Sequence, residues 1–303
     1  MRRSLLWILP LAGLLTGFLF LINPGGLMRS SGDPVKAQGR PSTQILERGR
    51  EVYERNCAVC HGQNGDGNGM AAHMFRTRPR DFTKGIFKFR STSYGSLPTD
   101  EDLFRIISRG IRWTAMVAQD HLSEEDRWAV IQYVKTFSPR FQVEHPEAPM
   151  PVPKPPPKTK GLVAQGRETY EKAECGECHG RSGRGDGPSA EKLKDEWGDP
   201  IRPSDLTRRP FKGGSIPRDL FRTLITGLGG TPMPSYRDAL TDEELWALVY
   251  YLLSLSKDGS LEQAMVGEER MGWMVEQMHR MMGPGMMDEM RRRMPMMPGM
   301  PMR

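Results

Sequence analysis

The feature that most constrains this 303-residue chain is a five-residue motif that occurs twice. Residues 57–61 read Cys-Ala-Val-Cys-His, and residues 175–179 read Cys-Gly-Glu-Cys-His. C-x-x-C-H is typical of covalent c-type haem attachment, in which two thiols join the haem vinyl groups and the histidine coordinates iron. The two motifs contain every cysteine of the chain. A zinc half-site, a redox dithiol or a chance match explains a single motif better than two matched copies. The sequence therefore predicts two covalently bound haem c groups.

Each motif lies inside a longer repeated unit, and the spacing between the two copies is nearly constant. This pattern indicates a duplicated domain rather than an array of short repeats. The matched segments are GREVY (49–53) and GRETY (166–170), GDG (65–67) and GDG (185–187), RPRDFT (78–83) and RPSDLT (202–207), and DLFR (102–105) and DLFR (219–222).

The repeat divides the chain into two predicted domains, 44–141 and 161–257, joined by a proline-rich linker at 142–160. Such a composition favours polyproline II and acts as a semi-rigid spacer, so we expect the linker to hold the domains apart. Residues 1–43 form a predicted signal or anchor with a spacer, and residues 258–303 form a methionine-rich tail.

The pattern within each copy predicts an all-α fold. In the first copy a helix is expected from about residue 44 to 56. In the second copy Thr241 and Glu244 form the residue pair of a capping box, which predicts where the last helix begins. Gly49 and Gly166 lack side chains, and we expect them to let the first helix of each copy cross closely against the last.

The occupant of the sixth iron position, opposite His61 or His179, decides what each haem can do. Met233 lies on a late loop with prolines on both sides, which fix the direction of its thioether. Met116 aligns with it in the first copy but lacks both prolines. A methionine ligand raises the reduction potential and suits electron transfer, whereas an open position suits catalysis. The other candidates in the first copy are Met70, His73, Met74 and His121, of which we expect both histidines to lie on the surface.

These residues and motifs resemble class I cytochrome c over residues of about 44–138 and 161–256. The resemblance implies two small all-α domains, each with a largely buried haem. It also implies the axial pairs His61/Met116 and His179/Met233, with thioether bonds at Cys57, Cys60, Cys175 and Cys178. The loop around Met116 departs from the pattern, because it lacks the prolines that flank Met233.

The N-terminal segment predicts export. Arg2 and Arg3 precede an uncharged apolar run from Leu5 to Ile22, which would span about 27 Å as a helix against a hydrocarbon core of roughly 30 Å. An uncleaved membrane anchor and a cleaved signal peptide both remain open. Either way we expect the haem domains on the periplasmic side of the inner membrane.

The net charge and its distribution indicate which kinds of partner the chain can bind. The formal net charge is +6, but the propionates of two haems would offset most of it. We therefore expect no nucleic-acid partner. Segment 76–90 is strongly basic, which fits either a docking face for an acidic redox partner or binding to haem propionates.

The tail from Met265 to Arg303 contains most of the 21 methionines. Thioethers prefer Cu(I), so copper binding is one hypothesis for this tail. A flexible methionine-rich surface for a partner or a membrane is the other.

These features predict an electron-transfer protein rather than an enzyme, carrying single electrons between respiratory redox partners outside the cytoplasm. One alternative is a cytochrome subunit of a membrane-bound oxidase or of a periplasmic dehydrogenase complex. Another is a di-haem enzyme that uses the first haem, which would require that haem to lack a stable methionine ligand.

Overall fold

Helices provide the regular secondary structure of residues 41–256, which are the residues that this computed structural model describes. Within that range no strand forms, and the one bridge outside the helices joins Lys194 to Pro200. The same range contains no helix that is both long and apolar enough to cross a membrane. The predicted N-terminal signal or anchor and the methionine-rich tail, with its hypothesis of copper binding, lie outside the described residues.

Two successive sets of helices correspond to the two copies of the repeat. The first set comprises α1 (Thr43–Asn56), α2 (Ala58–His61), α3 (Asp100–Arg109), α4 (Glu124–Lys135) and α5 (Arg140–Val143). The second set comprises α6 (Lys160–Lys172), α7 (Cys175–His179), α8 (Pro217–Thr226) and α9 (Asp242–Leu255). We refer to these sets, with the loops between their helices, as the first and second domains.

In each domain the first and last long helices cross, α1 against α4 and α6 against α9. A side chain at Gly49 would collide with the carbonyl of Ala129, and one at Gly166 would collide with the carbonyl of Ala247. The predicted close crossings at the two glycines are therefore confirmed.

Side-chain caps fix where several helices begin. At α9, Thr241 and Glu244 form the predicted capping box. Thr99 and Asp102 form a second capping box at α3, which the sequence analysis missed. Caps of this kind satisfy backbone N–H groups that have no partner inside the helix.

Each domain has its own apolar core around the crossing helices. Val52, Tyr53, Val130 and Val134 are buried together in the first domain. The core of the second domain is larger, and its fully buried members include Phe221, Ile225, Leu245, Leu248 and Val249.

The proline-rich linker does not hold the domains apart, so that expectation is wrong. The backbone N–H of Met150 donates to the carbonyl of Ser91 at 2.8 Å. Further along, the hydroxyl of Tyr250 donates to the carbonyl of Pro156 at 2.6 Å, and Val152 packs on the core of the second domain. A polyproline segment has no internal hydrogen bonds, so its backbone groups are free to bind both domains.

The two domains also contact each other directly. Arg80 forms an ion pair with Glu196, and both side chains are largely buried. The guanidinium of Arg90, which is 2% exposed, donates to the carbonyl of Thr226 at 2.8 Å. The domains therefore share an interface that contains charged as well as apolar groups.

Candidate haem-binding sites

The second domain contains a cavity of about 1140 Å³ that is lined by all four residues predicted to bind its haem. They are Cys175, Cys178, His179 and Met233. Apolar side chains complete much of the lining, among them Leu193, Leu220, Leu224, Leu248 and Leu252. A cavity that combines apolar walls with a few convergent polar groups is typical of a cofactor site, and imidazole and thioether are a known donor set for haem iron. The residues present therefore fit a covalently attached haem.

Both motif histidines are oriented by a backbone carbonyl. His61 Nδ1 lies 3.0 Å from the carbonyl oxygen of Arg80, and His179 Nδ1 lies 3.1 Å from that of Ser204. A histidine that donates through Nδ1–H keeps Nε2 as the metal ligand. Burial lowers the pKa of His61 to about 4 and also lowers the pKa of His179, so both imidazoles are neutral, as metal binding requires.

A tyrosine on the first helix of each domain fixes the turn after the motif. Tyr53 donates its hydroxyl hydrogen to the carbonyl of Gly62, and Tyr170 donates to that of Gly180, each at 2.7 Å. Both glycines have a left-handed φ, 81° and 77°, which glycine adopts at little cost. The chain thus reverses direction immediately after each iron ligand.

Met116 and Met233 occupy equivalent positions on their loops. The N–H of Met116 donates to Oγ1 of Thr114 at 3.2 Å, and the N–H of Met233 donates to Oγ1 of Thr231 at 3.2 Å. The structure places Met233 in the cavity with His179. The structure places Met116 at the position of its own loop that matches the position of Met233.

The two methionine loops differ three residues before the methionine. The second domain has Gly230 there, with φ 73°, whereas the first has Trp113, with φ 61°. The Trp113 indole N–H reaches the second domain and donates to the carbonyl of Pro210 at 2.7 Å. Trp113 belongs to no sequence motif that would have marked it, because its role depends on a backbone angle and on a distant loop.

The surroundings of the cysteines disfavour the redox-dithiol interpretation. Burial raises the pKa of Cys57 to about 12 and that of Cys175 to about 11. Redox-active dithiols instead have a cysteine of lowered pKa. Residues 41–256 contain no cluster of three His, Cys, Asp or Glu side chains suited to a metal ion.

The alternative ligands of the first haem are mostly on the surface. His73 and His121 are exposed, as predicted, and Met70 is 58% exposed. Met74 is half-buried. His73 also contributes to the lining of the cavity in the second domain.

Part of the basic segment 76–90 contacts the second domain. Arg76, Arg78, Arg80 and Lys88 line the cavity that holds His179. Lys88 forms no ion pair or hydrogen bond with any residue in 41–256, and burial together with Arg80 and Lys212 lowers its pKa to about 8. Several cations thus line one cavity, where they outnumber the acidic side chains.

Glu196 and Trp197 complete this interface and lie outside the segments matched by the repeat. The guanidinium groups of Arg78 and Arg80 lie 5.2 and 5.0 Å from the centre of the Trp197 ring. One carboxylate oxygen of Glu196 and the indole nitrogen of Trp197 are buried without a hydrogen-bond partner among the described residues. The first site has its own aromatic contact, in which Phe82 stacks on His61 at 4.5 Å.

The helical fold together with these paired sites is that of a c-type cytochrome with two tandem class I domains. The sequence matches the family described as cytochrome c oxidase, cbb3-type, subunit III, over residues 44–134 and again over residues 161–252, and the chain belongs to this family. The predicted resemblance to a tandem class I cytochrome c is therefore confirmed.

A solved structure with a similar chain is the reducing HAO-like protein complex Kustc0457/Kustc0458 of Kuenenia stuttgartiensis. The similar chain in it is 45% identical, with a TM-score of 0.69, and the match covers 70% of the present chain and 96% of the other. Among curated proteins the comparison found no match.

Proposed function

We propose that this protein is a di-haem cytochrome that carries single electrons between redox proteins outside the cytoplasm. The observation that carries the proposal is the cavity that brings Cys175, Cys178, His179 and Met233 together. The repeated C-x-x-C-H motif and the matching loop of Met116 extend the proposal to the first domain.

The chain's own residues fit electron transfer better than catalysis. Haem iron would supply one-electron chemistry between its ferric and ferrous states. His179 is held in one orientation by Ser204, and Met233 is held by Thr231 and two flanking prolines. Two protein ligands at each iron would leave no position for a substrate, and fixed ligands need little rearrangement when an electron arrives.

The basic lining of the cavity supports a second part of the proposal. Lys88 has no ion-pair partner among the described residues, and such a cation beside a haem cavity suits the carboxylate of a haem propionate. Lys88 lines the cavity that contains His179, so we favour propionate binding over an external docking face for this segment.

Two kinds of partner fit the comparisons. The similar solved chain belongs to an HAO-like protein complex, so we propose that the present chain acts within a complex that contains a second redox protein. The family description instead points to a subunit of a haem–copper oxidase. Isolation of native complexes followed by identification of the bound subunits separates the two alternatives.

For the location we propose the periplasmic side of the inner membrane, with the protein either anchored or released. This part rests on the apolar run from Leu5 to Ile22 and on the attachment of c-type haem outside the cytoplasm. Membrane fractionation of cells that express the full chain tests it, because an uncleaved anchor keeps the protein in the membrane fraction.

Haem counting and redox titration of the full chain test the central proposal. We expect the denatured protein to retain the mass of two haems, and one after Cys175 and Cys178 are both replaced by alanine. Full reduction should consume two electrons per chain, with low-spin spectra in both oxidation states. A chain with two haems and a high-spin spectrum at either would argue for an open iron position and against a pure electron carrier.

A further inference from the structure

Trp113 has a backbone conformation that tryptophan rarely adopts. Its φ is 61°, at the position where the second domain has Gly230. In this region the side chain crowds the backbone, so a residue other than glycine stays there only when its surroundings hold it. Trp113 lies three residues before Met116, the proposed ligand of the first haem.

The groups that hold Trp113 belong to the second domain. Its indole N–H donates to the carbonyl of Pro210 at 2.7 Å, and the guanidinium of Arg208 lies 4.4 Å from the centre of its ring. Trp113 also lines the cavity that contains His179 and Met233. The methionine loop of the first domain is therefore attached to the second domain beside the second haem site.

The methionine loop of the second domain has a matching contact with the first. Gly229 packs so closely on the carbonyl of Phe87 that no side chain would fit there. The guanidinium of Arg90 donates to the carbonyl of Thr226, at the end of α8 and just before the loop. Each methionine loop is thus supported by the opposite domain.

We propose that Trp113 is a positioning residue that holds Met116 on the first haem by attaching its loop to the second domain. The proposal rests on the proposed ligation of that haem by His61 and Met116. In the second domain, prolines beside Met233 restrict the loop. The first domain lacks those prolines, and the contacts of Trp113 with Pro210 and Arg208 take their place.

The test measures imidazole binding to the first haem of the full-length di-haem protein. Binding is monitored by the loss of the spectral signature of methionine ligation. Imidazole competes with Met116 for iron, so a looser loop binds it more tightly. Trp113→Phe keeps an aromatic ring but loses the hydrogen bond, and we expect imidazole affinity to rise about fivefold. Trp113→Gly removes all contacts to the second domain, and we expect a rise of about tenfold.

Arg208→Met provides a test from the other domain. It leaves the loop of Met116 unchanged in sequence, yet we expect imidazole affinity at the first haem to rise about twofold. Trp128→Phe is the matched control, because Trp128 lies on α4 and donates its indole N–H to Glu124 within the first domain. That variant should bind imidazole as the unmodified protein does.

Met116→Leu separates failure of this inference from failure of the proposed function. If Met116 is a ligand, its replacement opens the first haem to imidazole and identifies the spectral component of that haem. If Met116→Leu changes nothing, the proposed ligation is wrong. If Met116→Leu opens the haem while Trp113→Phe and Trp113→Gly bind imidazole as the unmodified protein does, Trp113 does not position the ligand and this inference is overturned.

Discussion

At the scale of single residues, a backbone carbonyl orients each histidine that would bind haem iron. The C-x-x-C-H motif identifies Cys175, Cys178 and His179 directly, because haem attachment requires those side chains. The carbonyl of Ser204 that orients His179 could not be predicted, since every residue has a carbonyl and only the fold brings this one within 3.1 Å. Tyr170 stood in a repeated segment, but its partner at Gly180 is visible only in the structure.

Replacing Tyr170 by phenylalanine should destabilise the protein without changing haem attachment. The hydroxyl hydrogen bond to the carbonyl of Gly180 is buried, and its loss leaves that carbonyl unsatisfied, at a cost of about 1–3 kcal/mol. Guanidinium unfolding of the haem-loaded protein at neutral pH measures the change. Tyr94→Phe is the control, since Tyr94 is 52% exposed, and a loss of equal size there would contradict the explanation.

The same tyrosine gives a pH dependence with a definite sign. Burial raises the pKa of Tyr170 above its ordinary value, whereas the unfolded phenol ionises near pH 10. The folded protein therefore binds more protons above about pH 10, and its free energy of unfolding falls as pH rises. Tyr170→Phe should make that fall less steep.

At the scale of helices, the crossings could be predicted from the local sequence, whereas the path of the linker depends on tertiary contacts. Gly49 and Gly166 marked the crossings correctly, because close approach of two backbones excludes a side chain. The capping box at Thr99 and Asp102 was available from the sequence but was not recognised there. The path of the linker was predicted wrongly, since its composition does not specify which domain its backbone groups bind.

Gly166→Ala should loosen the crossing of α6 and α9. The added methyl group would collide with the backbone carbonyl of Ala247, which cannot move as a side chain can. We expect a loss of about 1–3 kcal/mol in the free energy of unfolding. Gly161→Ala on the same helix is the matched control, because only Thr159 lies within 4 Å of its new carbon. Because alanine favours a helix more than glycine does, Gly161→Ala should not lose stability, and an equal loss there would contradict the crossing as the cause.

At the scale of the whole molecule, the repeat predicted two domains but not their interface. Trp113, Glu196 and Trp197 have no counterpart in the matched segments, so comparison of the two copies gives no sign of their role. The interface instead depends on where the two domains differ. A duplication marks the residues that the two copies have kept in common, and these three residues lie outside that set.

Lys88→Met should lower the reduction potential of the second haem although Lys88 belongs to the first domain. Lys88 lines the cavity with His179, and removal of its positive charge favours the ferric state. At an effective dielectric constant near 20 the effect is roughly 1–2 kcal/mol per electron. Spectrally resolved redox titration measures it.

Lys192→Met is the control for that titration, because it removes the same charge from an exposed position that does not line the cavity. Equal shifts in the two variants would indicate a general effect of net charge. A shift confined to Lys88→Met would support a specific role for the cation at the interface.

The shared wall of the second cavity ties that site to the whole chain. Arg76 and Lys88 of the first domain form part of the wall, so the cavity is complete only when the two domains are docked. A second domain produced alone would leave that side of its haem open to solvent.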